Sequence, residues 1–313
     1  MTEDYFIDQA IHREDLGGTR SEPTYSGVLS FMRRKYTCDL AGVDVAVTGI
    51  PLDTATSNRP GARFGPRSIR QASSQLSWAR LDDWGFDAFD KLAVVDYGDC
   101  ELDRGFPETI PADIREHITE IISEDVAVLS LGGDHFITWP ILQAHAEKYG
   151  PLSLIHFDAH SDTWEDDDGR VDHGTMFYHA VKQGVVNPAR SIQVGLRTYN
   201  RNSWGFNQLK APWVHENGCD AVVDEIRRVV GTDACYLTFD IDCLDPCFAP
   251  GTGTPVIGGL STHQAQQILR GLAGINLVGM DLVEVAPDYD VGEITSLAGA
   301  SLALEMLYLY ASK

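Results

Sequence analysis

Ser153-Leu154-Ile155-His156-Phe157-Asp158-Ala159-His160-Ser161-Asp162 is the stretch from which the organisation of the chain can be worked out. An apolar run is followed by three possible metal ligands at alternating positions, Asp158, His160 and Asp162. Because successive side chains of a strand point to opposite faces, a strand ending here places all three on one side of its C-terminal edge. The triplet indicates half of a metal site, or else a simple strand cap or solvated turn. Whether it is a metal site depends on whether the rest of the chain supplies further ligands.

Similar apolar runs recur along the chain and predict the strands of a sheet. They lie at 43–50, 92–96, 126–131, 152–157, 191–196, 235–239 and 277–285. Most are continuously apolar, which is typical of strands buried on both faces of a parallel sheet. Segments compatible with helices lie between them, at 111–123, 139–149, 174–183, 221–230, 262–272 and 296–311. The alternation predicts a three-layer α/β/α fold with a mostly parallel central sheet.

No repeat, low-complexity linker or change in composition marks a second domain. A chain of 313 residues can bury a large core, and we expect residues 41–313 to form a single catalytic domain. Residues 1–40 have no sustained period and are expected to form an arm that packs on this domain or on a neighbouring subunit. The six cysteines show no CxxC pair or regular spacing and are interpreted as reduced thiols.

The charge balance excludes some classes of partner. A formal net charge of −22 disfavours binding to nucleic acid or to an anionic membrane, since both require a basic surface. The same negative field favours a cationic substrate. No apolar run approaches the roughly 18 residues of a transmembrane helix, and the acidic N-terminus does not resemble a secretory signal. We therefore expect a cytoplasmic protein.

Polar side chains also follow three other predicted strands, at the edge where parallel sheets bind their ligands. They are His135 after Gly132-Gly133-Asp134, Asp240 and Asp242 after 235–239, and Glu284 in the last apolar run, with His173 in a loop after the opening stretch. Taken singly, each could be a strand cap, an ion-pair partner or a buried histidine. The set as a whole has a simpler explanation.

Carboxylates packed side by side repel one another and lose hydration, and a pair of divalent cations removes that cost. A ligand set of four aspartates and two histidines, with no thiolate, favours Mn²⁺ over a structural Zn²⁺. Two neighbouring metal ions can share a water and lower its pKa, which makes hydroxide available near neutral pH. The predicted reaction class is metal-assisted hydrolysis.

The same motifs resemble those of a known family. The segments 132–135, 158–162 and 239–246, which read GGDH, DAHSD and FDIDCLDP, resemble the three metal-binding signatures of the ureohydrolases, the arginase and agmatinase family. Segments 61–66, 249–255 and 280–287 resemble other conserved parts of the family, and the similarity extends from about Val43 to the C-terminus. Segments 173–178 and 255–260 are most similar to those of bacterial agmatinases.

The resemblance implies an arginase-like fold and two Mn²⁺ ions per subunit. One ion would be held by His135, Asp158, Asp162 and Asp240, and the second by His160, Asp158, Asp240 and Asp242, so that Asp158 and Asp240 bridge. His173 matches the family's proton shuttle beside the substrate, and Glu284 matches the carboxylate that holds the guanidinium. Asp162 is expected to be catalytic as well as a metal ligand. The family commonly forms trimers or hexamers, so we expect a homo-oligomer.

The implied reaction is hydrolysis of agmatine, a small cationic guanidino compound, to urea and putrescine. An alternative within the family is a guanidino acid such as guanidinobutyrate or guanidinopropionate, whose tail carries a carboxylate instead of an ammonium. The acidic loop 165–168 could attract an ammonium or could simply be solvated. Two alternatives from other classes are a metal-dependent deacetylase, which typically needs one metal ion, and a non-catalytic regulator, which would be expected to have lost ligands.

Overall fold

A computed structural model describes residues 23–78, 80–166 and 168–313. Its central feature is one sheet of eight parallel strands in the order β2-β1-β3-β8-β7-β4-β5-β6. The strands are β1 (Val45–Ile50), β2 (Val94–Asp99), β3 (Ala127–Gly132), β4 (Ser153–Phe157), β5 (Ile192–Leu196), β6 (Asn207–Lys210), β7 (Cys235–Asp240) and β8 (Leu277–Val283). The predicted α/β fold with a parallel sheet is confirmed.

Helices cover both faces of the sheet. They are α1 (Gly65–Ser73), α2 (Ala88–Lys91), α3 (Ile110–Ser123), α4 (Thr138–Tyr149), α5 (Met176–Lys182), α6 (Ala211–Val230), α7 (Thr262–Gly271) and α8 (Ile294–Ala311). Helix α4 contacts both α3 and α5 on one face, and α1, α8, α7 and α6 contact in succession on the other. Each face has its own apolar core. Every residue of the central strands β3, β4, β7 and β8 is buried, which explains their continuous apolar runs.

Sequence reasoning missed elements that lack an apolar run. Strand β6 is a short edge strand of sequence Asn-Gln-Leu-Lys, in which only Leu209 is buried. Helix α1 is mostly polar and is anchored through few apolar side chains, among them Ile69 and Ala72.

Helix α6 begins ten residues before the predicted start, and Gly218 interrupts it with a φ of 82°. Helix α8 is long and apolar enough to span a membrane, yet most of it is buried in the core against α1, α7 and β8.

The described part of the predicted N-terminal arm packs on the edge of the sheet, while residues 1–22 lie outside the described residues. Phe31 and Met32 are fully buried. The Phe31 N–H donates to Asp96 Oδ2 at 2.7 Å, and Arg70 pairs with the same oxygen at 2.8 Å. The chain around Phe31 is therefore tied to β2 and to α1. Contact of the arm with a neighbouring subunit, like its separation at residue 40 from a catalytic domain, stays a prediction.

Candidate metal centre and cleft

The predicted ligands come together at the C-terminal edge of four adjacent strands. The sheet order places β3, β8, β7 and β4 side by side. His135 follows β3, the Asp158–Asp162 segment follows β4, Asp240 ends β7, and Glu284 follows β8. Parallel strands end at the same edge, so segments far apart in sequence deliver their side chains to one place.

One group of ligands surrounds the His135 ring. Its Nδ1 atom lies 3.0 Å from Asp158 Oδ2, 3.0 Å from Asp162 Oδ2 and 3.3 Å from Asp240 Oδ2. The nitrogen is buried and has no hydrogen-bond partner among the described residues. A buried nitrogen aimed at three carboxylate oxygens is satisfied only by a proton or by a cation between them.

The other nitrogen of His135 fixes the tautomer of the neutral ring. His135 Nε2 lies 2.8 Å from Thr238 Oγ1, and the Thr238 hydroxyl donates to Asp281 Oδ1 at 2.5 Å. Because the hydroxyl proton is committed to Asp281, Thr238 Oγ1 accepts from the Nε2–H of the ring. In the neutral ring Nδ1 then carries a lone pair directed at the carboxylates, which is the state that a metal ligand requires.

A second group of ligands surrounds His160. Its Nδ1 atom lies 3.3 Å from Asp158 Oδ1 and 3.1 Å from Asp242 Oδ2. Asp158 thus faces both histidines, one with each oxygen, as a bridging ligand would. Asp240 directs Oδ2 toward His135, while its Oδ1 accepts the Asp242 N–H at 2.8 Å. Asp240 therefore has one oxygen facing the first group and the other bonded to the backbone of Asp242, a member of the second group.

The electrostatics of these groups fit divalent cations. Burial, together with Asp158, raises the pKa of Asp162 to about 7. Burial and the neighbouring carboxylates also raise the pKa values of Asp240 and Asp242. Burial opposes the charged form of Asp158 too, but the adjacent histidines outweigh it and lower its pKa. A carboxylate set with raised pKa values carries its full charge at neutral pH only when cations compensate it.

His156 is a member of the site that sequence reasoning missed. It lies on β4 two residues before Asp158, and its Nε2 contacts Asp158 Oδ2 at 2.7 Å while Gln193 Nε2 donates to its Nδ1 at 3.0 Å. Burial lowers its pKa to about 4, so the ring is neutral. With both nitrogens engaged by protein groups, His156 orients Asp158. The alternation that identified Asp158 and His160 also includes position 156 and could have found it.

Glu284 has a buried, unpartnered oxygen next to the predicted ligands. Its Oε1 accepts the His135 N–H at 2.9 Å and contacts His173 Nδ1 at 2.9 Å. Its Oε2 is buried and has no hydrogen-bond partner among the described residues. The backbone at Glu284 is left-handed, with a φ of 64°, and its N–H donates to Gly133 O. This conformation is unfavourable for a non-glycine residue, and here it holds the carboxylate in the site.

His173 is held between Glu284 and Ser57. Its Nε2 lies 2.9 Å from the Ser57 N–H nitrogen and 2.7 Å from Ser57 Oγ. The Ser57 N–H donates to Nε2, so in this geometry Nε2 is the acceptor and Nδ1–H donates to Glu284 Oε1. Burial disfavours the charged ring, but the hydrogen bond to Glu284 and the negative charges of Glu284, Asp162 and Asp134 together outweigh burial and raise the pKa of His173 to about 9. The sequence had no local signal for Ser57.

Part of this set of residues borders a cleft of about 290 Å³. It is lined by Ser57, His160, Asp162, Trp164, Arg170, Asp172, His173, Gly174, Thr175, Asp240 and Thr254. The acidic segment 165–168 does not contribute a described side chain to this lining, and Asp167 lies outside the described residues. Glu165 instead accepts a hydrogen bond from Asn202, and Asp166 accepts one from Arg170.

Comparison with known proteins gives consistent similarities over nearly the whole chain. Residues 43–308 match the model of the arginase family. The agmatinase of Chromobacterium violaceum is 57% identical over 308 residues, which cover 98% of this chain and 96% of that protein. The agmatinase of Photorhabdus laumondii is 47% identical over 304 residues, or 95% of this chain and 98% of that protein.

Solved structures agree with these sequence matches. A crystal structure of a hypothetical agmatinase from Burkholderia thailandensis is 57% identical, with a TM-score of 0.94 and 97% of each chain covered. The proclavaminate amidino hydrolase of Streptomyces clavuligerus is 38% identical, with a TM-score of 0.88 over 93% of this chain and 99% of that one.

Proposed function

The chain belongs to the arginase family, and we propose that it is an agmatinase, a hydrolase that cleaves the guanidinium group of agmatine to give urea and putrescine. The observation that carries this proposal is the buried, unpartnered Glu284 Oε2, in a carboxylate whose other oxygen contacts His135 and His173 next to two groups of metal-type ligands. A buried carboxylate oxygen is a suitable partner for a guanidinium. Relatives named agmatinase, similar over nearly the full length, support the same substrate.

We propose that two Mn²⁺ ions are the cofactors. The first ion would be held by His135, Asp158, Asp162 and Asp240, and the second by Asp158, His160, Asp240 and Asp242. Oxygen and imidazole ligands without thiolate suit Mn²⁺. When bound, the pair of ions supplies a nucleophile at neutral pH and stabilises developing negative charge.

The protein's own groups position the substrate. A guanidinium carbon is a poor electrophile because its charge is delocalised, so precise placement contributes strongly to the rate. Glu284 Oε2 would accept charge-assisted hydrogen bonds from the guanidinium, while Oε1 stays tied to His135 and His173. The bound guanidinium is thereby fixed relative to the metal ligands.

The departing amine must gain a proton, and His173 is our candidate proton donor. The carboxylate of Glu284 raises the pKa of His173, which favours the protonated ring that a proton donor requires. Both ring nitrogens are engaged, but Ser57 Oγ lines the cleft and contacts Nε2 at 2.7 Å. A proton can therefore pass from His173 through the Ser57 hydroxyl to the cleft. Asp162 also lines the cleft and is proposed to act both as a metal ligand and in catalysis.

Other functions explain less of the molecule. A deacetylase would leave part of the ligand set without a purpose, and a regulator would be expected to have lost ligands that this chain retains. The near-full-length relatives are named agmatinases. A guanidino-acid hydrolase would use the same metal centre and differ only in the pocket for the tail. A cytoplasmic location and a trimeric or hexameric assembly stay predictions.

The substrate is tested by measuring urea release from the Mn²⁺-loaded protein with agmatine, guanidinobutyrate, guanidinopropionate, arginine and guanidine. We expect agmatine to have the highest kcat/KM, at least about 10-fold above each of the others, since one misplaced charge in a binding site costs about that much. A guanidino acid as the best substrate would replace the agmatinase proposal with the alternative from the same family.

Metal removal should destabilise the protein. The buried carboxylates around His135 and His160 repel one another without cations, and each ion that binds only the folded chain adds about 3 kcal/mol at 100 times its dissociation constant. Dialysis against EDTA should lower the Tm by about 5–15 °C, and Mn²⁺ should restore it. Differential scanning calorimetry measures the shift. An unchanged Tm in EDTA, with metal content shown to be zero, would contradict a metal centre built from these residues.

A further inference from the structure

We propose that Asp172 and Trp164 form the subsite for the terminal ammonium of the substrate, and that Arg170 competes with this ammonium for Asp172. The inference rests on the proposed function, because it requires a guanidino substrate whose head group lies at Glu284.

The charges that line the cleft limit where a cationic tail can bind. Apart from the proposed metal ligands and His173, the charged residues of the described lining are Arg170 and Asp172. The guanidinium end is assigned to Glu284, so the tail extends toward the remaining wall. Asp172 is the carboxylate of that wall that the metal ions do not use, and its side chain is 23% exposed.

Trp164 and Asp172 flank one point of this wall. A β-carbon at Gly174 would lie 3.6 Å from Asp172 Oδ1 and 3.6 Å from Trp164 Cδ1. The absence of a side chain at Gly174 keeps the space beside both groups open. Trp164 is 49% exposed. An aromatic ring beside a carboxylate is a favourable environment for an alkylammonium, because both attract a cation.

The backbone holds the two groups in place. The Trp164 N–H donates to Gly174 O at 3.0 Å, and the Gly174 N–H donates to Asp172 Oδ1 at 3.0 Å. These bonds connect the start and the end of the acidic loop directly beside His173. The subsite is therefore preorganised, and a bound ammonium does not have to order a flexible loop first.

Arg170 occupies the other oxygen of Asp172. Its Nη2 lies 3.1 Å from Asp172 Oδ2, and its Nε lies 3.2 Å from Asp166 Oδ2. The Arg170 side chain is 72% exposed. Since solvent-exposed ion pairs are weak, a substrate ammonium can displace Arg170 from Asp172. If Asp172 lost its charge, Arg170 would become the dominant charge of this wall and would favour a carboxylate tail.

The test is Asp172→Asn in the Mn²⁺-loaded protein, assayed for urea release from agmatine, N-butylguanidine and guanidinobutyrate. The first two substrates differ only in the ammonium. We expect kcat/KM for agmatine to fall about 10-fold, mainly through KM, while N-butylguanidine changes less than about 2-fold. The ratio of guanidinobutyrate to agmatine turnover should rise.

Two further variants separate the subsite from general effects of charge. Asp168→Asn removes the same charge from the same loop, but Asp168 does not line the cleft, so the agmatine to N-butylguanidine ratio should be unchanged. Arg170→Gln removes the competing cation and should raise kcat/KM for agmatine about 2- to 5-fold. If Asp172→Asn does not fold, Arg170→Gln decides: an unchanged or lower value for agmatine overturns the proposal.

The outcomes also separate this inference from the proposed function. A wild-type protein that releases no urea from agmatine refutes the agmatinase proposal itself. A wild-type protein that is active on agmatine, combined with an Asp172→Asn variant that slows agmatine and N-butylguanidine equally, refutes only the ammonium subsite.

Discussion

Replacing Glu284 by glutamine should reduce urea release from agmatine by at least about 100-fold while leaving the metal content at the wild-type value. The amide has nearly the same shape, but it no longer offers a charged Oε2 to the guanidinium, and its NH₂ group would face a cationic group. None of the proposed metal ligands is altered. Turnover is measured by urea release, and metal content by inductively coupled plasma mass spectrometry.

A matched control is Glu293→Gln, since Glu293 is exposed and its carboxylate contacts Gln71 away from the cleft. It should keep full activity. Wild-type turnover in Glu284→Gln would remove Glu284 from the mechanism, and loss of metal would indicate a structural role instead.

Glu284→Gln also carries a pH signature through His173. Glu284 raises the pKa of His173 to about 9, so the charged ring contributes stability below its ordinary pKa of about 6.5 and loses this contribution as the pH rises through about 9. Loss of the carboxylate should lower the pKa of His173. If His173 acts as a proton donor, the alkaline limb of the kcat/KM profile should shift to lower pH in the variant. If the alkaline limb of the profile did not shift, the role of Glu284 would be independent of proton transfer by His173.

His160→Asn should reduce the bound metal to well below two ions per chain and reduce turnover by at least about 100-fold. His160 Nδ1 faces Asp158 and Asp242 at 3.3 and 3.1 Å, and asparagine cannot place a nitrogen lone pair there. The side chain is 24% exposed, so its replacement disturbs the core less than replacement of the fully buried His135 would. A ligand removed from a shared site typically weakens metal affinity by one to two orders of magnitude or more.

Metal content after dialysis and steady-state urea release measure the two effects of His160→Asn. His263→Asn is the control, because His263 lies exposed on α7 outside the cleft, and it should retain both metal and activity. Two ions per chain combined with normal turnover in His160→Asn would show that the second group of ligands does not hold an ion.

The parts of the site that sequence reasoning predicted depend on local features of the sequence. The apolar run of β4 and the ligand types that follow it identified Asp158, His160 and Asp162. All three lie beyond the end of the strand, and Asp162 has a left-handed backbone with a φ of 51°, so strand alternation does not by itself bring them together. The short polar strand β6 was missed because edge position, not apolar content, defines it. Glu284 was identified because it follows an apolar run. Its left-handed backbone was not predicted, since that conformation depends on the contact with Gly133.

The residues that orient the ligands could not be predicted, because their partners are distant in sequence. Thr238 reaches His135 across 103 positions, and Asp281 reaches Thr238 across 43. Ser57 reaches His173 across 116 positions. Each of these contacts exists only once the order of the strands and the path of the loops are known.

The sequence by itself determined the fold class, the reaction class and the set of predicted ligands, because strand periodicity and the chemistry of carboxylates and imidazoles are local properties. The tertiary structure decided which ring nitrogen of His135 faces the carboxylates, how His173 is held, and which acidic residue of the loop after β4 lines the cleft. Those features depend on the adjacency of β3, β8, β7 and β4, which a linear pattern does not specify. Charge along the loop left open whether residues 165–168 attract a cationic tail, whereas packing brings Asp172 to the cleft.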